Sequence, residues 1–322
     1  MMKTLKSYIE DMLLFKESIG YSRRSYEYDL AHFCRFMESK QMTVSDLKED
    51  IVLSWCSRRE NESATGARRR IQPVRELLKY LCAIGIDCYV IPSSFLPRQK
   101  RRTPYIFTDK ELLSIFDECD KLEPDQCSVH RHLILPVLLR LIFFCGLRPN
   151  EGRELHSSDI DFDKGIILIR KNKSRKERYI ALSSDVLQMC RNHRCTLAGL
   201  SVDQTYFFPS PNGEPYDRYW LSKQFRMIWK RVKPHGFETE NQRFDAVVYD
   251  LRHRYATTMM MKWLNEKVDL NAKLPYLSAY MGHTHFSHTA YYIHLLPENL
   301  IRSSAIDWSR FSALIPQVVE HE

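Results

Sequence analysis

Residues 287–295 read SHTAYYIHL, two adjacent tyrosines with a histidine close on either side. A tyrosine hydroxyl can serve as a nucleophile when neighbouring groups activate it. Two tyrosines on an amphipathic helix can equally be ordinary aromatic core, and the stretch alone leaves both readings open. His283, His285 and His288 stand just upstream. They could hold a metal, but no carboxylate or cysteine accompanies them at the usual ligand spacing, so no metal site is expected, and for His285 and His288 polar surface is the plainer reading. The decision about the tyrosines rests on what the remaining elements bring to the same place.

The chain has 322 residues, 44% hydrophobic and 27% charged, which suits a globular protein of two domains. Apolar residues at helical spacing (Leu5, Ile9, Met12, Leu13) stop at Gly20, and Ser22 is placed to cap a second helix through RRSYEYDLAHFCRFMES. A third helix fits SDLKEDIVLSWCSRR. A fourth, ATGARRRIQPVRELLKYLCAIG, should kink at Pro73 and end at Gly85. These make an all-helical domain over residues 1–91. The proline- and base-rich stretch 92–106 reads as a linker, and residues 107–322 as a second domain. There Thr108 opens a helix and an apolar helix follows near 131–145. GIILIR and ERYIAL form a β-hairpin around the basic turn KNKSRK, and helical patterns return, ending with HTAYYIHL. The fold class is therefore mainly α with a small antiparallel sheet.

Lys and Arg outnumber Asp and Glu by 48 to 40, a formal charge of +8, with runs at Arg68-Arg69-Arg70 and at Arg98, Lys100, Arg101 and Arg102. Such runs favour a polyanionic partner, because lysine and arginine displace counterions from a phosphate backbone. Nine cysteines without a CxxC pair fit reduced thiols in the cytoplasm. Glu10 and Asp11 interrupt what a signal peptide would need as its apolar region, and Arg140 interrupts the longest apolar run, so neither export nor a membrane span is expected.

Four stretches taken together, CGLRPNEGREL (145–155), IRKNKSRKERYIAL (169–182), YDLRHRYATTM (249–259) and YMGHTHFSHTAYYIHL (280–295), resemble the tyrosine recombinase, or phage integrase, family in order and separation. The resemblance covers the second domain, and the basic helical domain before it resembles that family's SAM-like core-binding domain. It implies a C-terminal α+β catalytic domain that clamps duplex DNA together with the N-terminal one. The implied reaction is attack of a tyrosine hydroxyl on a DNA phosphodiester, giving a 3′-phosphotyrosyl link and a free 5′-hydroxyl. The ester conserves the bond energy, so neither a metal nor a nucleotide cofactor is implied.

Negative charge grows on the scissile phosphate in the transition state, and an always-charged, forked guanidinium suits it. The resemblance gives this role to Arg148 and Arg252, with Glu151 holding an arginine in place. It gives the general acid for the leaving 5′-oxygen to a hairpin lysine: Lys173 fits best and Lys171 is the alternative. Arg175, Lys176 and Arg178 are expected on DNA with the two arginine runs. The family's GH histidine and its nucleophile stand nine residues apart, with threonine three before the tyrosine and histidine two after. From His283 that count reaches Tyr292, flanked by Thr289 and His294, and Tyr291 fails it.

One position departs from the family. Tyr249 stands where histidine is usual, and a phenol of ordinary pKa near 10 is a poor base at neutral pH. His283, or stabilisation of the phenolate by the arginines, would have to cover the deficit. Strand exchange between two inverted-repeat sites implies a homotetramer on double-stranded DNA, and the tail after Tyr292 (Trp308, Phe311, Leu314, Ile315) suggests docking on an adjacent subunit. Movement of a mobile element is the expected job. A DNA-binding regulator without catalysis and a topoisomerase-like relaxing enzyme remain the rivals.

Overall fold

Thr4 and Ser63 each accept a hydrogen bond from a first-turn N–H, and the helices α1 (Leu5–Ser18) and α4 (Ala64–Ala83) begin there. The computed structural model describes residues 3–97, 102–126, 128–170, 177–200, 202–233 and 245–296. The chain divides into two units, Met1–Arg101 and Arg102–Glu322. Arg98, Lys100, Arg101, Lys171, Lys173, Arg175, Lys176 and the tail 297–322 lie outside the described residues.

In the first unit α1, α2 (Glu27–Ser39), α3 (Glu49–Cys56) and α4 surround a core that includes Met12, Leu30, Phe33, Trp55, Val74 and Leu77. The apolar positions recur every three to four residues, so each helix buries one face. Gly20 and Gly85 follow α1 and α4 in the left-handed region (φ 81° and 89°), as a glycine at a helix end can. Pro73 sits within α4, which continues through it to Ala83. Ser22 does not cap α2. A 3₁₀ turn over Arg23–Ser25 intervenes, held by Arg23 bonding Glu10 (2.8 and 2.6 Å) and Glu27 (3.0 Å), and α2 starts at Glu27.

The first arginine run is not a uniform basic face. Arg70 is 5% exposed; it donates to both Glu62 carboxylate oxygens at 2.8 Å and to the carbonyls of Trp55 and Ser57. Its guanidinium also lies 5.2 Å from the centre of the Trp55 ring. A buried charge must be paired, and all of Arg70's charge is used in tying α4 to the end of α3. The expectation that Arg70 contacts DNA is therefore corrected. Arg68 is half-buried and donates to the Pro97 carbonyl at 3.3 Å, while Arg69 is exposed.

In the second unit Thr108 and Glu111 form a reciprocal capping box that starts α5 (Asp109–Asp120). The apolar α6 (Arg131–Phe144) packs against α5, α8 (Ser184–Ala198) and α10 (Tyr249–Asn265), with Ile134, Leu138 and Ile142 fully buried. A short α7 (Pro149–Arg153) follows α6. A three-stranded antiparallel sheet comes next, β1 (Ile160–Asp161), β2 (Ile166–Ile169) and β3 (Arg178–Ala181), with Ile167 opposite Ile180 and Ile169 opposite Arg178. Completing the unit are α9 (Arg218–Val232), α11 (Leu270–Met281) and α12 (Ser287–Ala290). The single helix expected over HTAYYIHL is instead α12 followed by a 3₁₀ turn, Tyr291–Leu295. No helix among the described residues is long and apolar enough to cross a membrane.

Candidate active site

Glu151 is the centre of the site. α6 runs out at Cys145; Gly146 turns the chain with φ 59°, and a Cβ there would lie 2.5 Å from the Tyr255 ring, so only glycine fits. Leu147 is buried, and Arg148 comes out at the N-cap of α7 with Glu151 three residues on. The Glu151 carboxylate accepts the Arg148 backbone N–H (2.8 Å) and the Arg148 guanidinium (2.6 Å). From β3, Arg178 grips both carboxylate oxygens at 3.0 and 2.7 Å, and Arg252 from α10 stands 3.9 Å away. Burial raises the Glu151 pKa, but hydrogen bonding and charge from Arg178 and Arg148 outweigh it and hold the group below the ordinary carboxylate value. Three arginines around one carboxylate leave two positive charges without a partner in the cluster. Such an arrangement can hold an anion.

Each arginine is aimed by backbone carbonyls. Arg148 donates to the Gly282 carbonyl at 2.6 Å, Arg178 to Tyr280 at 2.8 Å, and Arg252 to Gly146 at 2.6 Å and Met281 at 2.5 Å. Gly282 ends α11 at φ 63°, and a Cβ there would press on the Arg178 guanidinium at 3.0 Å. The glycines of the two motifs thus turn the chain and offer the carbonyls that orient Arg252 and Arg148. Arg252 is fully buried, and its Nε–H has no partner among the described residues. Burial lowers its pKa, yet a guanidinium stays protonated, so a cation held by carbonyls keeps an unused donor.

Two basic residues expected on DNA are committed elsewhere. Arg178 belongs to the Glu151 cluster. Arg102 grips Asp250, a completely buried carboxylate, at 2.9 and 2.6 Å and also donates to the Asp245 carbonyl at 2.8 Å. Asp250 in turn accepts the Val247 N–H in the first turn of α10. Burying that carboxylate requires a cation, and Arg102 supplies it.

Tyr292 is 2% exposed, and Tyr291 beside it is half-buried with its ring 6.4 Å from that of His294. Burial pushes the Tyr292 phenol above its ordinary pKa, while the charges of Arg252 and Arg148 pull it back. His283 stacks on the Tyr292 ring at 6.1 Å, and its Nδ1 lies 2.7 Å from the hydroxyl of the fully buried Thr289. Burial first, then Arg252 and Arg148, lower His283 to about 3, so it is neutral at physiological pH. His285 and His288 are exposed, and no group of three His, Cys, Asp or Glu among the described residues could hold a metal ion. Tyr249, 37% exposed on the first residue of α10, has its ring centre 5.0 Å from that of His253, and it acts electrostatically on both Tyr292 and Arg252.

The residue that sequence reasoning passed over is His253. Its Nδ1 lies 3.0 Å from the Tyr292 hydroxyl, across 39 residues of chain. The available signal was its place one step after Arg252 and four after Tyr249: successive helix residues are turned about 100° apart, and positions i and i+4 share a face.

The profile of the phage integrase family matches residues 106–299, and that of the phage integrase N-terminal SAM-like domain matches residues 5–85. Among similar proteins, the putative integrase/recombinase y4rE of Sinorhizobium fredii is 28% identical over 291 residues, covering 88% of this chain and 90% of the relative. Tyrosine recombinase XerD of Rhizobium meliloti is 24% identical over 310 residues, covering 92% of each. In fold, the chain is similar to the XerH site-specific recombinase bound to a palindromic difH substrate, with TM-score 0.64 and 18% identity over 89% of this chain and 80% of that one.

Proposed function

Because the chain belongs to the phage integrase family of tyrosine recombinases, we propose that Tyr292 cleaves and rejoins DNA strands at a phosphate held by Arg148 and Arg252. The observation that carries this reading is the surplus charge around Glu151 beside a buried phenol that Arg252 and Arg148 influence directly. A phosphodiester between those arginines would supply the missing negative charge, and the unpartnered Arg252 Nε–H would gain an acceptor. Glu151 and Arg178 position the arginines, and His283 packs on the nucleophile. Tyr249, facing His253 from the helix start, is a phosphate-side hydrogen-bond donor in this reading. Lys173, with Lys171 as the alternative, protonates the leaving 5′-oxygen.

Residues 1–91 and 107–322, joined by 92–106, both contact double-stranded DNA at inverted repeats, with Arg69 the exposed member of the first arginine run. Four protomers assemble on two sites through the tail beyond residue 296. The reaction serves integration or excision of a mobile element in the cytoplasm, a reading supported by the integrase/recombinase name of the Sinorhizobium relative.

Tyr292→Phe tests the central claim. It removes only one hydroxyl, so duplex binding should stay within about twofold while the SDS-resistant complex on a nicked site disappears. Loss of that complex in Tyr291→Phe, with retention in Tyr292→Phe, would refute the assignment.

A further inference from the structure

We propose that His253 is a catalytic residue: its Nδ1 takes the Tyr292 hydroxyl proton during strand cleavage and returns it during rejoining. The inference rests on Tyr292 being the nucleophile. It resolves the problem raised by Tyr249, which stands at the usual histidine position but whose phenol is a poor proton acceptor.

The geometry is specific. A proton acceptor must lie within hydrogen-bond reach of the proton it removes, about 2.6–3.2 Å between heavy atoms. His253 Nδ1 lies 3.0 Å from the Tyr292 oxygen. His283, the other imidazole near the phenol, has its Nδ1 engaged with Thr289 at 2.7 Å and presents its ring face to Tyr292, with 25° between the planes. Stacking leaves that ring no acceptor lone pair aimed at the phenol. Of the two histidines, His253 is placed to accept.

The environment keeps the acceptor free. The groups that face His253 are Tyr249, Asp250 and Arg252 on its own helix, Tyr292 from the 3₁₀ turn, His283 from the segment after α11, and Arg102 from the segment before α5. Burial is the main cause that lowers its pKa to about 4, with Arg252 and Arg102 adding and Asp250 opposing. Above about pH 5 the imidazole is therefore neutral and can accept. It need not ionise the free phenol, because the oxygen becomes strongly acidic as its bond to phosphorus forms. A phosphodiester anion beside Arg252 also offsets the repulsion that the resulting imidazolium would meet.

The step balances. The Tyr292 oxygen–phosphorus bond forms as its proton passes to His253 Nδ1. The phosphorus–O5′ bond breaks as that oxygen takes a proton from the hairpin lysine. In rejoining, the attacking 5′-hydroxyl returns its proton to the lysine while the imidazolium protonates the departing tyrosine oxygen. No metal or oxidant enters.

The test uses the full-length protein on nicked sites carrying either an ordinary 5′-oxygen or a 5′-bridging sulfur, which leaves without a proton. His253→Gln and His253→Asn should slow single-turnover cleavage about 10²–10⁴-fold on both substrates, with duplex binding retained. A lysine variant should be rescued by sulfur, and Tyr292→Phe should be dead on both. The wild-type rate on sulfur should be flat across pH 6–9, because its acceptor is already neutral. Wild-type rates in the His253 variants would overturn the inference, as would rescue by sulfur or a wild-type rate rising tenfold per pH unit on sulfur. A covalent complex formed by Tyr292→Phe would instead overturn the nucleophile assignment beneath it.

Discussion

Two buried arginine–glutamate clusters, one in each unit, use the same chemistry to opposite ends. Around Glu62 one arginine meets one carboxylate, and its remaining donors are consumed by the Trp55 and Ser57 carbonyls. Around Glu151 three arginines share one carboxylate, and carbonyls aim their other donors without neutralising them. The first cluster is closed and the second is left positive. The stoichiometry of the pairing, not the presence of arginine, separates a tie within the fold from a cluster left with surplus positive charge.

That contrast is sharpest at Arg252. Arg252→Gln should cut cleavage about 10²–10³-fold, the usual cost of removing one preorganised donor from developing charge, while duplex affinity falls little. Arg70→Gln should leave the rate constant of the bound complex at its wild-type value. Single-turnover cleavage at saturating protein measures both, and equal defects would dissolve the distinction.

Stability should reverse the ranking. Arg70→Ala opens a buried pair and strands the Glu62 carboxylate, which should cost the first unit about 3 kcal/mol, read by urea unfolding. Glu151→Gln should also destabilise its unit but leave duplex affinity unchanged or raised, because a negative charge disappears from a cluster of three arginines.

A pH series narrows this further. The Glu151 carboxyl is held below its ordinary value, so its contribution is complete above the unfolded pKa of about 4.3 and is lost as pH falls through the folded value. The stability gap between wild type and Glu151→Gln should therefore shrink between pH 6 and pH 3. A gap that stays constant would mean the carboxylate's charge is not what holds the arginines.

The smallest effect is expected at Arg69, the exposed member of its run. Arg69→Ala should lower the slope of log affinity against log salt by about one, without changing stability or cleavage of the bound complex. An unchanged slope would remove Arg69 from the DNA face.

Much of this site could be read along the chain. The order of the four motifs, the count from His283 to Tyr292, and the arginines after Leu147 and Leu251 are local facts, because a helix period or a turn glycine constrains only nearby positions. The same reasoning placed the hairpin and most helices, since apolar spacing is local too, but it put the start of α2 at Ser22, where a 3₁₀ turn intervenes. It misjudged HTAYYIHL, where a regular helix yields to a 3₁₀ turn that puts Tyr292 against His253.

What the chain alone could not determine is which charge meets which. Arg70, Arg102 and Arg178 looked like Arg69 in a row of basic residues, yet Glu62, Asp250 and Glu151 claim them across 8, 148 and 27 positions. His253 and Tyr292 are 39 apart and meet only when α10 packs against the turn that holds Tyr292. Sequence sets the face a side chain occupies; its electrostatic partner is set by through-space distance inside a low-dielectric interior, and only the folded chain contains that distance.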